Sequence, residues 1–409
     1  MPGAEDPSLA LHFTTRQVHG GATAAHAHGS RATPVYLSAG FVFDDFDQAA
    51  GRFAGDDAGF AYTRVSNPTN AALEARIADL EGGRAAVALG SGQAATATTI
   101  LALASAGTHV VAADNIYEGS RELIRDNLGR LGISSTFVDA LDLAAWEAAI
   151  TPDARALFAE SIANPKNDVT DIRGLAEIAH RHGIPLVIDN TLASPYLLRP
   201  LEHGADIVVH SASKFLSGHG TVLGGVIVDG GWFDWTRDAG RYAPIAADRG
   251  HDGRTFVERH GAAAFAEYAR SIAMRFGPAI SPLNAFLILQ GVETLSLRVQ
   301  RQSDSAAEIA RFLADHPLVS SVDYSGLASS RSHADSPRVV SACVRCRPSA
   351  GTSRPSSTPC RSCALRSTTC TATSCWSRTR RAASRASRCS SSGSGMRSPA
   401  ARPMACGTS

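Results

Sequence analysis

Lysine is nearly absent from this 409-residue chain: Lys166 and Lys214 are its two examples, and arginine supplies the other basic side chains. Lys166 sits in "NPKN", a loop setting that suits a solvated amine. Lys214 stands in "HSASKFLSGHG", beside the hydroxyls of Ser211 and Ser213 and ahead of a glycine-rich run. An amine held there can condense with a carbonyl and, once released, act as a base. Two further stretches offer complementary chemistry. "GSGQ", residues 90–93, follows an apolar run and opens a helix-like one. Free backbone N–H groups and the positive helix end at such a turn attract phosphate. Asp189 closes the apolar run "PLVIDN", where an acid can hold a cation. Each feature alone has an ordinary explanation as a turn, a cap or a surface residue.

These residues need elements that bring them together. "NPTNAALEARIADLEGG" places Leu73, Ile77 and Leu80 on one helical face, with Pro68 at the start and Gly82 at the stop. "AAVAL", "THVVAAD", "ISSTFVD", "ARALFAES", "IPLVIDN", "ADIVVH" and "GGVIVDG" read as short strands rich in branched apolar residues. Helical segments such as "DLAAWEAAI" and "DIRGLAEIAHRHG" separate several of them. Alternation of this kind predicts an α/β fold, a mostly parallel sheet covered by helices on both faces. In such sheets ligands sit at the carboxyl ends of the strands, where Asp189, "GSGQ" and the Lys214 stretch all fall. Beyond Ser281 a long helix is expected to lead into a second, smaller domain.

A lysine, a buried acid and a phosphate cradle at one sheet edge match the needs of pyridoxal 5′-phosphate. Longer blocks make the match specific. "YTRVSNPT", "SGQAA", "ESIANPKNDVTDI", "VIDNTLASPYLLRPLEHGADIVVHSASKFLSGHG" and "GGVIVDGGWFDW" resemble the Cys/Met-metabolism family of pyridoxal-phosphate enzymes, of fold type I. The resemblance runs from about Phe13 to His333. It implies that Lys214 bonds the cofactor aldehyde, that Asp189 pairs with the pyridine nitrogen and that Tyr117 of "DNIYEGS" stacks on the ring. Gly92 and Gln93, through their amides, and Ser211 and Ser213, through their hydroxyls, would hold the phosphate, and Asn164 would contact the phenolic oxygen. Tyr62 and Arg64 of "YTR" would reach the phosphate of a neighbouring subunit, so the protein would be a dimer at least, and in this family usually a dimer of dimers. Catalysis would rest on Lys214, Tyr117 and Asp189, with burial beside the cofactor lowering the lysine's pKa.

The resemblance also implies a reaction. O-acetyl-L-homoserine would lose acetate from Cγ and take up sulfide, giving L-homocysteine, or a thiol such as methanethiol, giving methionine. Cystathionine γ-synthase, cystathionine γ-lyase and methionine γ-lyase activities are the alternatives within the family, as is a chain that binds cofactor but is catalytically impaired. Two features favour the sulfhydrylase type. Between Trp235 and Ser281 lie 45 residues, more than lyases and cystathionine synthases generally carry there. Glu118 and Gly119 follow Tyr117, where methionine lyases typically have Gly-Cys. Whether the leaving group is acetyl or succinyl stays open.

Composition limits the partners and exposes an anomaly. With 44% hydrophobic and 19% charged residues the chain reads as globular, and small molecules rather than nucleic acid or membrane are the expected partners. "MPGAEDPSLALHF" has Glu5 and Asp6 and no apolar core, so it does not read as a secretion signal, and a cytoplasmic location is expected. The first 335 residues hold 26 basic and 38 acidic side chains, a net charge of −12, whereas residues 336–409 hold thirteen arginines and no acid. All eight cysteines lie between Cys343 and Cys406. The expected organisation is an N-terminal arm (1–58), a large cofactor-binding domain (59–280), the start of a small, incomplete C-terminal domain (281–335) and an aberrant Arg/Ser/Cys-rich tail (336–409) expected to be disordered.

After "VDYSGLASSRSH" the family continues with a glycine-rich strand, a "THxxL"-like block and an arginine that clamps the substrate carboxylate, none of which is present. Cys343, Cys346, Cys360 and Cys363 have the pairwise spacing of a zinc ribbon, but their flanks offer nothing apolar to build one, so no metal is expected. A frameshift between about Arg331 and Val340 in a GC-rich gene explains the change in cysteine, acid and charge together. The chain as written should then turn over weakly, and truncation at His333 should leave its homocysteine synthesis little changed. High activity that vanishes on removing residues 336–409 would overturn this.

Overall fold

The computed structural model describes residues 11–21, 29–57, 59–332 and 344–348. Seven strands form the central sheet: β1 (Ala85–Leu89), β2 (His109–Ala113), β3 (Ser134–Val138), β4 (Ala154–Glu160), β5 (Leu186–Asp189), β6 (Ile207–Ser211) and β7 (Gly225–Asp229). They match the seven apolar runs read from the sequence. Their order across the sheet is β1-β7-β6-β5-β4-β2-β3. All neighbours are parallel except β7, which runs antiparallel to both β1 and β6. Continuous runs such as Val110–Ala113 and Leu186–Ile188 are buried because helices cover both faces, so no alternation of polar residues is needed.

The helix Pro68–Glu81 begins at Asn67, whose side chain accepts from Thr69 N, and ends at Gly82, left-handed at φ 79°. A residue with a Cβ would be strained at that stop. Helix Gly92–Leu103 is capped by Ser91, which accepts from Ala94 N. It packs on β6 and β7. A Cβ on Gly92 would lie 2.6 Å from Ser211 Cβ, so glycine is what lets the helix start touch the end of β6.

Residues 236–280 fold onto the large domain as three helices, Ala243–Ala246, Phe256–His260 and Ala264–Phe276. Arg270 anchors the last of them. Its two terminal nitrogens meet both oxygens of Glu74 at 3.0 Å and one also donates to Ala86 O, while Glu74 Oε1 accepts Ala88 N at 2.8 Å.

The single long helix expected after Ser281 is two, Pro282–Val292 and Leu295–Ala314. At the break Gly291 O accepts Thr294 N in a tighter i to i+3 bond at 3.2 Å, together with Thr294 Oγ1 at 3.2 Å and Arg298 Nη2 at 2.7 Å, in place of the regular helical bond. A second sheet pairs β8 (Val319–Asp323) antiparallel with β9 (Arg345–Pro348). The absence of any apolar period in the tail did not predict β9. Strand addition to an open edge uses backbone groups and tolerates almost any sequence. A cut at His333 therefore removes β9, whereas a cut after Pro348 keeps it. The remainder of the tail, with Cys343, Cys360 and Cys363, lies outside the described residues. Among those described, no helix is long and apolar enough to cross a membrane.

Replacing Glu74 by alanine should destabilise the protein toward the lower end of about 3–5 kcal/mol, since it removes the bidentate partner of the partly buried Arg270 and leaves it only Glu267, at 3.4 Å. Joint replacement by Glu74→Leu and Arg270→Met should recover most of that loss in urea denaturation. A single variant within ~1 kcal/mol of wild type would show that the pair does not anchor the helix.

Candidate active site

At the carboxyl edge of the sheet a cavity of about 210 Å³ is lined by eight of the ten residues singled out from sequence: Gly92, Gln93, Tyr117, Asn164, Asp189, Ser211, Ser213 and Lys214. Gly92 and Gln93 occupy the first turn of helix Gly92–Leu103, whose backbone N–H groups have no partner within the helix. Ser211 Oγ sits beside that turn and makes no hydrogen bond among the described residues. Ser213 differs: its hydroxyl donates to Gly224 O at 3.2 Å and accepts Gly224 N at 3.0 Å, so it is already engaged with the chain.

Asp189 ends β5 and lines the same cavity. Its Oδ1 accepts both the amide and the hydroxyl of Thr191, at 2.9 and 2.5 Å, and Oδ2 has no bond among the described residues. The Thr191 hydroxyl in turn accepts Ser211 N at 2.8 Å, linking the acid to the end of β6. Burial pushes the Asp189 carboxyl above its ordinary pKa against the opposing pull of the Thr191 bonds. An uncommitted carboxylate oxygen and a group of free N–H donors in one cavity fit a ligand with a cationic nitrogen and a phosphate. The residues present therefore suit pyridoxal phosphate.

Tyr117 begins the helix Glu118–Glu122 and is 38% exposed. A Cβ on Gly119 would come 2.5 Å from Tyr117 Cε1, so glycine makes room for the ring. Lys214 opens onto the cavity but its side chain is exposed. The expected burial of the amine is thus not a property of the protomer, because β6 ends before the lysine and the turn carries it outward.

Tyr62 and Arg64 lie apart from this cavity. Arg64 stacks its guanidinium 5.3 Å from the Tyr62 ring centre and donates to Met274 O. Both face outward, Tyr62 being 44% exposed.

Sequence reasoning missed Glu160, Thr191 and a polar cluster behind the sheet edge. Glu160 ends β4 as Asp189 ends β5, and the two are register partners. The signal was available in "ARALFAES", but the sequence does not say that β4 and β5 are neighbours. Burial, then the Asp189 charge, drives the Glu160 carboxyl well above its ordinary range, opposed by two backbone N–H bonds. Behind the edge, Glu81 Oε1 accepts from His210 Nε2 at 2.6 Å and from Asn190 Nδ2 at 2.8 Å. All three side chains are essentially enclosed. Asn190 and His210 directly neighbour Asp189 and Ser211 in sequence, and their bonds to Glu81 tie helix Pro68–Glu81 to the ends of β5 and β6.

A larger cavity, about 380 Å³, lies between residues 52–55 and 250–275. Four of its arginines are committed to carboxylates, Arg52 to Asp57, Arg254 and Arg259 to Asp252, and Arg270 to Glu74 and Glu267, while Arg275 donates to the Ser271 carbonyl. It holds no lysine, and the chemistry stays with the smaller cavity.

Comparison with known proteins agrees with this geometry. The model of the Cys/Met metabolism PLP-dependent enzyme family matches residues 14–344. An O-acetyl-L-homoserine sulfhydrylase of Corynebacterium glutamicum is 45% identical over 324 residues, covering 78% of this chain and 74% of the relative. An L-methionine gamma-lyase of Pseudomonas putida is 39% identical over 319 residues, covering 78% and 72%. Among solved structures, an O-acetylhomoserine (thiol)-lyase from Campylobacter jejuni, which carries a pyridoxyl-lysine monophosphate, superposes with a TM-score of 0.79 at 34% identity over 83% of this chain and 85% of that one. Cavity, fold and family match converge: this chain belongs to the Cys/Met metabolism PLP-dependent enzymes.

Proposed function

We propose that this protein catalyses a γ-replacement on O-acetyl-L-homoserine, exchanging acetate for sulfide or a small thiol. The observation that carries the reading is the convergence of Lys214, Asp189 and the free N–H groups of the Gly92–Gln93 turn on one cavity. The sulfhydrylase relatives supply the substrate class. Pyridoxal phosphate, when bound, supplies an electron sink that makes the substrate Cα and Cβ protons acidic.

The chain's own residues do the rest. Gly92 N, Gln93 N and Ser211 Oγ hold the phosphate; the Ser213 hydroxyl, engaged with Gly224, holds it less directly. Asp189, through its uncommitted Oδ2, would pair with the ring nitrogen of a bound cofactor and favour its protonated form. Tyr117 would stack on the cofactor ring and Asn164 would hold its phenolic oxygen. Lys214 Nζ, exposed at the cavity, takes the Cα proton and transfers a proton at Cβ. Over the cycle the Cγ–O bond to acetate breaks, a Cγ–S bond forms and Cα regains its proton. Tyr62 and Arg64 serve the phosphate of a neighbouring subunit, so the working unit is at least a dimer. The exposed Val42, Phe46 and Phe53 of the same N-terminal segment give that contact an apolar surface to bury.

Three measurements test this. Borohydride reduction of the protein with its cofactor, followed by peptide mass analysis, should label Lys214 and leave Lys166 unlabelled; a label on Lys166 refutes the assignment. Asp189→Asn should lower turnover by roughly 100-fold while cofactor affinity falls by less than about tenfold, because the acid acts on the developing charge and the phosphate cradle supplies most of the binding. Unchanged turnover would remove Asp189 from the mechanism. Arg64→Ala should weaken cofactor binding in an oligomer whose size by light scattering is unchanged.

A further inference from the structure

Glu160 occupies a place that no other side chain at this edge can fill. β4 lies between β2 and β5, so the end of β4 is equally near the loop after β2, which carries Tyr117, and its own following loop, which carries Asn164. The side chain is 6% exposed. Oε1 accepts Tyr117 N and Oε2 accepts Asn164 N, each at 2.8 Å. Its backbone is fixed as well, since Glu160 O accepts the Thr170 hydroxyl at 2.6 Å. The register with Asp189 sets two acids side by side on one sheet face in a buried site. Such a pair is unfavourable, and packing alone would favour a neutral residue there. What a carboxyl group alone supplies is two acceptor oxygens facing different ways. A glutamine has one, and its NH₂ would meet the second backbone N–H donor to donor.

We infer that Glu160 is a positioning residue of the active site, a double acceptor that fixes the loops bearing Tyr117 and Asn164 so that both present themselves to the cofactor ring. The inference rests on the cofactor reading given above and extends it to a residue that need not touch the reacting atoms. The raised pKa of Glu160, set by burial and then by Asp189, fits a group kept for its oxygens' geometry at a cost in solvation. Held in this way, the two loops are set before the ligand arrives, which reduces the ordering that binding must supply.

The test begins without cofactor. In the apoprotein, Glu160→Ala should make the Tyr117 and Asn164 amides exchange hydrogen about tenfold faster or more, with amides of β2 and β5 unchanged. Glu160→Gln should free one of the two and keep the other. With pyridoxal phosphate added, Glu160→Ala should weaken binding and reduce the visible circular dichroism of the bound cofactor in the manner of Tyr117→Ala. The double variant should lose no more than the larger single effect. Should Glu160→Ala not fold, Glu160→Gln carries the same comparison through its one freed amide. Unchanged exchange at both amides, or fully additive effects with Tyr117→Ala, overturns the inference. Failure of wild type to bind pyridoxal phosphate would instead overturn the cofactor reading and leave the exchange result standing.

Discussion

The parallel register of β4, β5 and β6 is the constraint on which this site depends. Glu160 pairs with Asp189, and Asp189 with Val209, two residues before Ser211. Parallel neighbours deliver their carboxyl ends to the same edge, so an acid, an anchoring acceptor and the lysine-bearing turn arrive together although far apart in the chain. A one-residue slip of β5 would turn Asp189 to the opposite face and put Asn190 in the cavity. β7 completes the edge from the other direction: Gly225 pairs with both Ser211 and Leu89, and a Cβ there would lie 2.0 Å from Ser91 O. The Ser91–Gln93 turn can lie against the start of β7 because that residue has no side chain.

Holding this edge in register costs buried polarity. Glu81, His210 and Asn190 are removed from water, and Glu81 Oε2, His210 Nδ1 and Asn190 Oδ1 have no bond among the described residues. An apolar trio would satisfy packing with less penalty. The polar cluster does something an apolar one cannot: it pins the side chains on either side of Asp189 and Ser211 in direction as well as position. Its third member comes from the end of helix Pro68–Glu81, whose start follows the segment of Tyr62 and Arg64. The outward-facing pair and the cavity are thereby joined through one rigid element.

At the other end of the chain the balance changes. The large domain rests on an extensive enclosed core, whereas the cluster around helix Leu295–Ala314 is small, built on Ala306, Ala310 and Tyr324. Leu297, Phe312 and Leu318 in this part of the chain are exposed. The start of that helix, with Leu295 and Val299, is buried in the large core, whereas further along the contacts to the rest of the protein are polar: Asn167 Nδ2 donates to Asp323 O at 3.1 Å, Val169 N to Ser332 Oγ at 2.9 Å, and Arg331 to Asp139 at 2.8 Å. The match to the family ends at residue 344, so β9 is formed by residues just outside it.

Local chemistry determined much of this protein. Each of the seven strands was legible as a branched apolar run, because burial on both faces removes the need for polar alternation. The stop at Gly82, the start at Ser91 and the strand-end position of Asp189 follow from residue types within a few positions of one another. What the tertiary structure alone decided is adjacency. The antiparallel course of β7, the pairing of β4 with β5 that makes Glu160 a neighbour of Asp189, and the Glu81–His210–Asn190 cluster all join residues whose separation in sequence carries no local signal. The break at Glu293–Thr294 belongs here too, since the Arg298 guanidinium that donates to Gly291 O reaches it only in the fold. Periodicity records which side of an element is buried; it does not record what lies against that side, and in this protein the active site is made of such contacts.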